Sequence, residues 1–179
     1  MKCHSPGLSP LKQDNVDYFA CSHCGHVEDR VMATGGIYIE WLGPWQPKHH
    51  SVGALIFHKD KFLVIERRVW PYKHGVPAGH VDEGEDPMEA IVREVLEELG
   101  TDVKSASVVA HEDHLVGDRC RKGADVHAWT LFECEVDTDE VRNASDEASK
   151  VMWLTPAEAS ELEFAFASGH MLRSIGQIE

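Results

Sequence analysis

The sequence predicts an α/β fold in which a mixed β-sheet is sandwiched between helices. Apolar stretches typical of strands lie on both sides of one central helix, the helix carries its own start and stop signals, and further helices follow the last strand. The chain has 179 residues, of which 42% are hydrophobic, which is enough for one full core and a small appended module. We therefore predict an N-terminal segment at residues 1–48 and a main domain at residues 49–179.

The predicted strands are apolar stretches bounded by turn residues. The first two form a hairpin, with strands at residues 51–57 and 61–67 and a turn between them. After the central helix, further strands are predicted at residues 102–112, 126–136 and 150–154. A capping box at Thr155 to Glu158 begins the next helix, and residues 166–175 form the last one.

The central helix is defined at both ends. Asp86 is a suitable N-cap, Pro87 occupies the first helical position, and Glu89 completes a capping box. Gly100 stands where a left-handed residue would end the helix. Between these ends, apolar residues recur at helical spacing and predict one buried stripe, made of Met88, Ile91, Val92, Val95 and Leu99.

Three carboxylates share one face of this helix. Glu94, Glu97 and Glu98 stand at positions i, i+3 and i+4, where helical side chains are neighbours. Carboxylates this close repel one another unless cations lie between them. A solvated acidic surface is the ordinary alternative. Because Val95 lies among these residues, we expect the acidic face at the edge of the core, where it is better placed for a site.

Residues 79–101 resemble the signature of the Nudix hydrolases, G-x5-E-x7-R-E-U-x-E-E-x-G-U, where U is a bulky aliphatic residue. The matching positions are Gly79, Glu85, Arg93, Glu94, Val95, Glu97, Glu98 and Gly100. Thr101 departs from the aliphatic preference, and we expect only a small change in packing from it. The resemblance implies a Nudix-type α/β/α sandwich that hydrolyses a phosphoanhydride bond.

The resemblance also implies a metal site. Glu94, Glu97 and Glu98 are expected to bind Mg²⁺ or Mn²⁺ together with the backbone carbonyl of Gly79, since hard oxygen donors favour these ions. The proton acceptor is left open among Glu94, Glu97 and Glu147. Glu147 precedes the last strand, where family members often place an acidic residue, and an ordinary acidic loop is the alternative.

The resemblance implies supporting roles for two further residues of the signature segment. Arg93 can reach carboxylates one helical turn away and is expected to orient them. Glu85 is expected to support the metal site or to hold its loop against the helix. A plain surface salt bridge is the alternative for both residues.

The residues at the start of the signature segment give an indication of the substrate class. Pro77, Ala78 and Gly79 resemble the lead of sugar-nucleotide pyrophosphatases such as those for ADP-ribose. We expect a hydrolase of a nucleoside diphosphate linked to another group, either a nucleotide sugar or a (d)NTP. A non-catalytic Nudix-like nucleotide-binding or regulatory domain is the alternative. Candidates for gripping phosphate or stacking on a base, with ordinary packing or solvated loop charge as the alternative, are Arg67, Trp70, Tyr72 and Arg119.

A second motif lies near the N-terminus. Phe19 precedes Cys21, Cys24 and Gly25 in the pattern of one zinc-ribbon knuckle, which we call the N-terminal knuckle. The other half of a ribbon is incomplete, so the candidate Zn²⁺ ligands are Cys3, Cys21, Cys24 and His26, with His4 and His23 as alternatives. Free thiols in a flexible arm, or a zinc-ribbon interaction protein, are the competing interpretations. We expect Cys120 and Cys134 to be a loop thiol and a strand residue.

Charge and composition limit the classes of partner that we expect. The net charge of −14 lies almost entirely after residue 50, so nucleic acid and anionic membranes are not expected as partners. The sequence has no apolar run of membrane-spanning or signal type, and five cysteines fit a reducing compartment. We expect a cytoplasmic protein that binds a small-molecule nucleotide, with cations bridging glutamates and phosphates. A homodimer is left open.

Overall fold

The computed structural model describes residues 8–13, 16–33, 35–44, 46–138 and 140–179. Over these ranges the chain forms a small N-terminal sheet, a large mixed sheet and three helices. Cys3 and His4, which belong to the predicted zinc site, lie outside the described residues. No helix in the described part of the chain is both long and apolar enough to cross a membrane.

The N-terminal sheet has three antiparallel strands, β1 (Leu8–Gln13), β2 (Val16–Cys21) and β3 (Val27–Glu28). The N-terminal knuckle connects β2 to β3. Gly25 has a φ of +68°, and its N–H donates to the carbonyl of Cys21 at 2.9 Å. Glycine adopts this left-handed conformation readily, so it permits the tight turn.

The large sheet runs in the order β11-β6-β5-β10-β9. Its long strands are β5 (Gln46–His58), β6 (Lys61–Arg67), β9 (Val103–Val116), β10 (Val126–Val136) and β11 (Ala148–Leu154). β10 is parallel to β5, whereas β9 and β6 pair with their neighbours in antiparallel fashion, so the sheet is mixed. The hairpin strand at residues 61–67 has the predicted bounds, and β5 begins earlier than predicted.

Three short strands complete the large sheet. β4 (Ile39–Gly43) and β8 (Ala78–His80) pair with β5, and β7 (His74–Gly75) pairs with β6. β5 crosses the predicted boundary between residues 48 and 49, and that division of the chain stays a prediction. β8 contains the first residues of the signature segment, so its pairing holds them beside β5.

The helices form two layers, one on each side of the sheet. α1 (Pro87–Leu99) covers one face, and α2 (Pro156–Ser160) and α3 (Phe166–Ser174) cover the other. Strand β5 serves both cores, because alternate side chains of a strand point to opposite faces. Val52, Ala54 and Ile56 pack with α1, while Leu55 packs with α2 and α3. The predicted α/β/α sandwich is therefore confirmed.

Helix α1 begins and ends where the sequence predicts. The Asp86 side chain accepts from the N–H of Met88 at 2.8 Å, and the N–H of Asp86 donates to Glu89 Oε2 at 3.3 Å. At the other end Gly100 has a φ of +65° and donates its N–H to the carbonyl of Leu96 at 2.9 Å. Local side-chain and backbone bonds thus fix the length of this helix.

The predicted apolar stripe of α1 is partly wrong. Met88 and Val92 are each 39% exposed, whereas Glu98 is only 5% exposed. The inward face is centred on Ile91, Val95 and Leu99, which are fully buried, and Val92 lies about 100° further around the helix than Ile91. The helix is thus turned about its axis relative to the predicted orientation, and Glu98 lies in the interior instead of at the edge of the core.

Candidate active site

Strand β8 and helix α1 meet at Gly79. Gly79 pairs with Val52 of β5, and the Glu94 carboxylate of α1 lies directly against its Cα. A Cβ at this position would collide with that carboxylate, so no other residue fits without displacing Glu94. The close approach brings the backbone of β8 to the glutamates of α1.

Glu94, Glu97 and Glu98, which we call the carboxylate face, lie at different depths. Glu98 is buried and its Oε2 accepts from the N–H of Ala78 at 3.0 Å. Burial raises the pKa of Glu98 to about 8 against the opposing charge of Arg67, and the charge of Glu94 adds to the rise. Burial also raises the pKa of Glu94, whose side chain is 12% exposed, whereas that of Glu97 is 59% exposed.

Arg93 connects the loop before α1, which carries Glu85, to the carboxylate face. Its Nε and Nη2 donate to the two carboxylate oxygens of Glu85 at 2.8 and 2.9 Å. Its Nη1 donates to Glu94 Oε1 at 2.7 Å, and Nη2 also donates to the carbonyl of His80 at 3.0 Å. Glu97 Oε2 lies 3.6 Å from Nη1. The Arg93 and Glu85 side chains are 28% and 15% exposed, so this pair is more shielded than a solvated surface bridge.

The donor set suits a hard divalent cation. The pKa values of the two inner carboxylates, Glu94 and Glu98, are raised, chiefly because burial disfavours their ionised forms. A bound cation would stabilise those ionised forms. Oxygen donors of this kind favour Mg²⁺ or Mn²⁺. Within the described residues the three side chains do not form a closed set of ligands. At least one of these side chains therefore has to move for all three to share one ion.

Glu147 lies next to this site. It is exposed in the loop before β11, where its N–H donates to Ser145 Oγ at 3.2 Å and its carbonyl accepts from the N–H of Arg68 at 2.7 Å. The negative charge of Glu147 raises the pKa of both Glu94 and Glu98, although burial is the larger cause. The loop thus presents a fourth carboxylate to the same region.

The four predicted substrate residues occupy two regions. Arg67 ends β6, its Nε is buried without a hydrogen-bond partner, and its charge acts on Glu98. Trp70 and Tyr72 follow in the loop before β7, with a cis bond from Trp70 to Pro71 and Tyr72 38% exposed. Arg119 lies on the β9–β10 connection, with Nε 3.6 Å from Asp125 Oδ1. Arg67 is the candidate that lies beside the carboxylate face.

A family comparison matches most of this architecture. The model of the NUDIX domain matches residues 47–175 of the chain. The chain belongs to the NUDIX family. The matched residues include all the strands of the large sheet that follow β4, the signature segment and the three helices.

Relatives of this NUDIX chain match it over shorter stretches. A protein named RNA pyrophosphohydrolase from Gluconacetobacter diazotrophicus is 37% identical over 81 residues, which cover 40% of this chain and 48% of that protein. A chloroplastic Nudix hydrolase 26 from Arabidopsis thaliana is 34% identical over 74 residues, which cover 41% of this chain and 33% of that protein. The chain spans less than half the length of either curated relative.

Solved structures share the fold. A MutT NUDIX hydrolase from Burkholderia pseudomallei superimposes with a TM-score of 0.62 at 23% identity, covering 72% of this chain and 98% of that one. The NUDIX domain of Shewanella oneidensis NrtR, solved with ADP ribose, gives a TM-score of 0.60 at 19% identity, covering 73% of this chain and 85% of that one.

The predicted zinc ligands outside the NUDIX match are only partly described. Cys21 is buried and Cys24 is exposed. His26 Nε2 lies 3.6 Å from Glu28 Oε1. Because Cys3 lies outside the described residues, the zinc site formed by Cys3, Cys21, Cys24 and His26 stays a prediction.

The NUDIX domain also contains a group that the sequence analysis missed. His49, His80, Cys120 and His127, which we call the histidine cluster, offer ligand atoms that all lie within 4.8 Å of one another. Cys120 is the predicted loop thiol, and Cys134 is the predicted strand residue of β10. The four members are spread over 79 positions with no motif spacing. The only sequence signal is a histidine within each of two apolar strands, which is weak by itself.

Proposed function

We propose that this NUDIX protein is a divalent-cation-dependent pyrophosphohydrolase. Its substrate is a nucleoside diphosphate linked to another group, and the bond that it cleaves is the phosphoanhydride. The observation that carries the proposal is the placement of Glu94 and Glu98 against the β8 backbone at Gly79 and Ala78. Membership of the NUDIX family and the relative named RNA pyrophosphohydrolase support it.

The carboxylate face and the Gly79 carbonyl would hold Mg²⁺ or Mn²⁺. The bound ion supplies positive charge that neutralises phosphate oxygens and makes the attacking water more acidic. Arg93 fixes the direction of the Glu94 carboxylate through the 2.7 Å bond. Glu85 fixes Arg93 in turn, so both act by positioning the carboxylates and not on the substrate itself.

Hydrolysis adds one water across the anhydride. The water oxygen bonds to phosphorus, the bridging P–O bond breaks, and one proton has to leave the water. Glu97 and Glu147 suit this transfer because both are exposed and can pass the proton to solvent. Glu94 is a third acceptor, but its hydrogen bond with Arg93 occupies one of its carboxylate oxygens.

Arg67 is our candidate for gripping a substrate phosphate. Its Nε is buried without a hydrogen-bond partner beside Glu98, and a guanidinium pairs well with phosphate oxygens. We place base or sugar recognition in Trp70, Tyr72 and Arg119. The Pro77-Ala78-Gly79 lead favours a nucleotide sugar of the ADP-ribose type, and the shared fold with an ADP-ribose-bound domain agrees with this choice.

A substrate panel tests the proposal. The full chain is incubated with Mg²⁺ and with ADP-ribose, NADH, FAD, NTPs, dNTPs, dinucleoside polyphosphates or an RNA bearing a 5′-triphosphate, and products are identified by mass. We expect hydrolysis of ADP-ribose to AMP and ribose 5-phosphate. Glu97→Gln and Glu98→Gln should each lower kcat/KM by about 100- to 1,000-fold, since each removes a carboxylate that stabilises the reacting phosphate through the ion.

Glu83→Gln is the control, because Glu83 is an exposed carboxylate in the loop that precedes α1. Full activity of either Glu97→Gln or Glu98→Gln would overturn the assignment of the carboxylate face. Tight binding of ADP-ribose without turnover of any compound would instead identify a nucleotide-binding regulatory domain.

A further inference from the structure

The histidine cluster lies on the face of the sheet opposite α1. His49 of β5 stands opposite His127 of β10, and His80 of β8 stands opposite Ser51, two residues further along β5. Residues paired across strands or two apart along one strand point to the same face. The three imidazole rings accordingly meet, with centroid separations of 5.3, 5.5 and 5.6 Å.

Two imidazoles of the cluster, those of His49 and His127, are fully buried, and two of its ring nitrogens lack hydrogen-bond partners. His49 and His127 are 0% and 1% exposed. The Nε2 atoms of His49 and His80 are buried without a hydrogen bond. Buried polar atoms without partners are rare in folded proteins, and the binding of an ion is one of the ordinary explanations.

Cys120 supplies sulfur at the same place. Its Sγ lies 3.4 Å from His49 Nδ1. The loop that carries it is pinned from the N-terminal segment, since Arg30 donates to the carbonyls of Cys120 at 2.9 Å and Ala124 at 2.8 Å. The N–H of Val31 donates to the carbonyl of Arg121 at 2.8 Å. The thiol is therefore held in position by the backbone around it.

An outer carboxylate completes the arrangement. Asp118 Oδ2 lies 3.2 Å from His127 Nδ1 and accepts from Trp129 Nε1 at 3.0 Å. Carboxylates in this relation orient metal-binding imidazoles in many proteins. Together with a Cys120 thiolate, Asp118 would supply two negative charges in a neighbourhood that also holds the cations Arg30, Arg67 and Lys122.

We propose that His49, His80, Cys120 and His127 form a buried four-ligand site for one Zn²⁺ ion. One thiolate and three neutral imidazoles suit zinc, which prefers four nitrogen and sulfur ligands, and do not suit Mg²⁺. On binding, the Cys120 thiol releases its proton to solvent. The ion would join β5, β8, β10 and the β9–β10 loop, and it would fix the residue next to Gly79. This proposal does not depend on the proposed hydrolase activity.

Cobalt substitution tests the site in the full chain. A Cys24→Ser background removes a candidate ligand of the N-terminal knuckle, and adding Cys120→Ser to it shows which thiolate gives the signal. After removal of metals and addition of excess Mg²⁺ to fill the carboxylate face, this protein should bind one equivalent of Co²⁺. The spectrum should show intense tetrahedral d–d bands and a thiolate-to-cobalt charge-transfer band, and Zn²⁺ should displace the ion. Adding Cys120→Ser should abolish the charge-transfer band, whereas adding Cys134→Ala should preserve it.

Three results would overturn the proposal. They are the absence of bound Co²⁺ in the Cys24→Ser protein, six-coordinate spectra, and a charge-transfer band that survives Cys120→Ser. If the Cys120→Ser protein does not fold, alkylation of the Cys24→Ser protein decides the matter. Saturating Zn²⁺ should protect Cys120 from iodoacetamide by at least tenfold in rate, as read by peptide mass, and an unchanged rate would count against the site.

Discussion

The carboxylate face and the histidine cluster meet at adjacent residues of β8 but offer different donor atoms. Gly79 faces Glu94 of α1, while the next residue, His80, points to the other side of the sheet. One region presents carboxylates of which the outermost is 59% exposed, and the other gathers imidazoles of which two, those of His49 and His127, are almost fully buried. Oxygen donors select hard cations, and nitrogen with sulfur selects zinc.

This contrast shows how a single short strand can serve two sites. Successive residues of a strand alternate between the two faces of a sheet, so β8 turns Gly79 toward α1 and turns Ala78 and His80 toward the opposite face. The carbonyl of His80 also accepts from Arg93 Nη2 at 3.0 Å, which links the backbone of the histidine cluster to the carboxylate face. The two regions therefore have separate donors and a shared backbone.

The loss of Glu85 should have a large effect on the carboxylate face alone. Glu85→Gln weakens both charge-assisted bonds to Arg93, which lie at 2.8 and 2.9 Å, and leaves Glu94 less well oriented. Changes in such supporting partners cost about 10- to 100-fold in metal affinity or activity. We expect a loss of that size in Mn²⁺ affinity, measured by electron paramagnetic resonance of free Mn²⁺.

The exposed neighbour provides the control for this change. Glu83→Gln, in the same loop, should leave Mn²⁺ affinity within about twofold, as surface substitutions away from a site generally have small effects. Equal Mn²⁺ affinities for Glu85→Gln and wild type would show that the contact between Arg93 and Glu85 is only a surface salt bridge.

A smaller effect should appear as a dependence of Mg²⁺ binding on pH. Glu98 keeps its proton in the folded metal-free chain up to a pKa of about 8, because burial disfavours the carboxylate, whereas in the unfolded chain it ionises near its ordinary value of 4.5. The unfolded state binds fewer protons between these values, so the stability of the metal-free protein falls as pH rises through this interval. Mg²⁺ has to displace that proton below pH 8.

Mg²⁺ affinity should therefore rise with pH from about 6 to about 8, by up to tenfold per unit for one released proton, and then level off. Calorimetric titrations in buffers of different ionisation enthalpy measure the proton release directly. Release of less than about 0.2 protons near pH 6.5 would contradict a protonated Glu98. The same titration with Glu98→Gln should show no release from this position.

The two regions also differ in how far the sequence predicts them. The carboxylate face comes from one helix whose ends are set by Asp86 and Gly100, so spacing along the chain predicts its position. The depth of Glu98 was not predictable in the same way. Met88 and Val92 are as apolar as the residues that are buried, and only packing against the sheet decides which of them face inward.

The histidine cluster depends on contacts that are distant in sequence. Parallel pairing of β5 with β10 brings His49 to His127. The sequence of neither strand indicates which strand it pairs with. Cys120 joins them through a loop held by Arg30 of the N-terminal segment. Such sites need the register of the sheet and cannot be derived from local patterns alone.

A crossed titration can distinguish the two proposed metal sites, which differ in their donor atoms. In the Cys24→Ser background, Glu98→Gln and Cys120→Ser proteins are each titrated with Mn²⁺ and with Co²⁺. We predict that Glu98→Gln weakens Mn²⁺ binding and keeps the thiolate-to-cobalt band, while Cys120→Ser does the reverse. If either substitution impaired both ions, or neither, the claim of two separate sites would be contradicted.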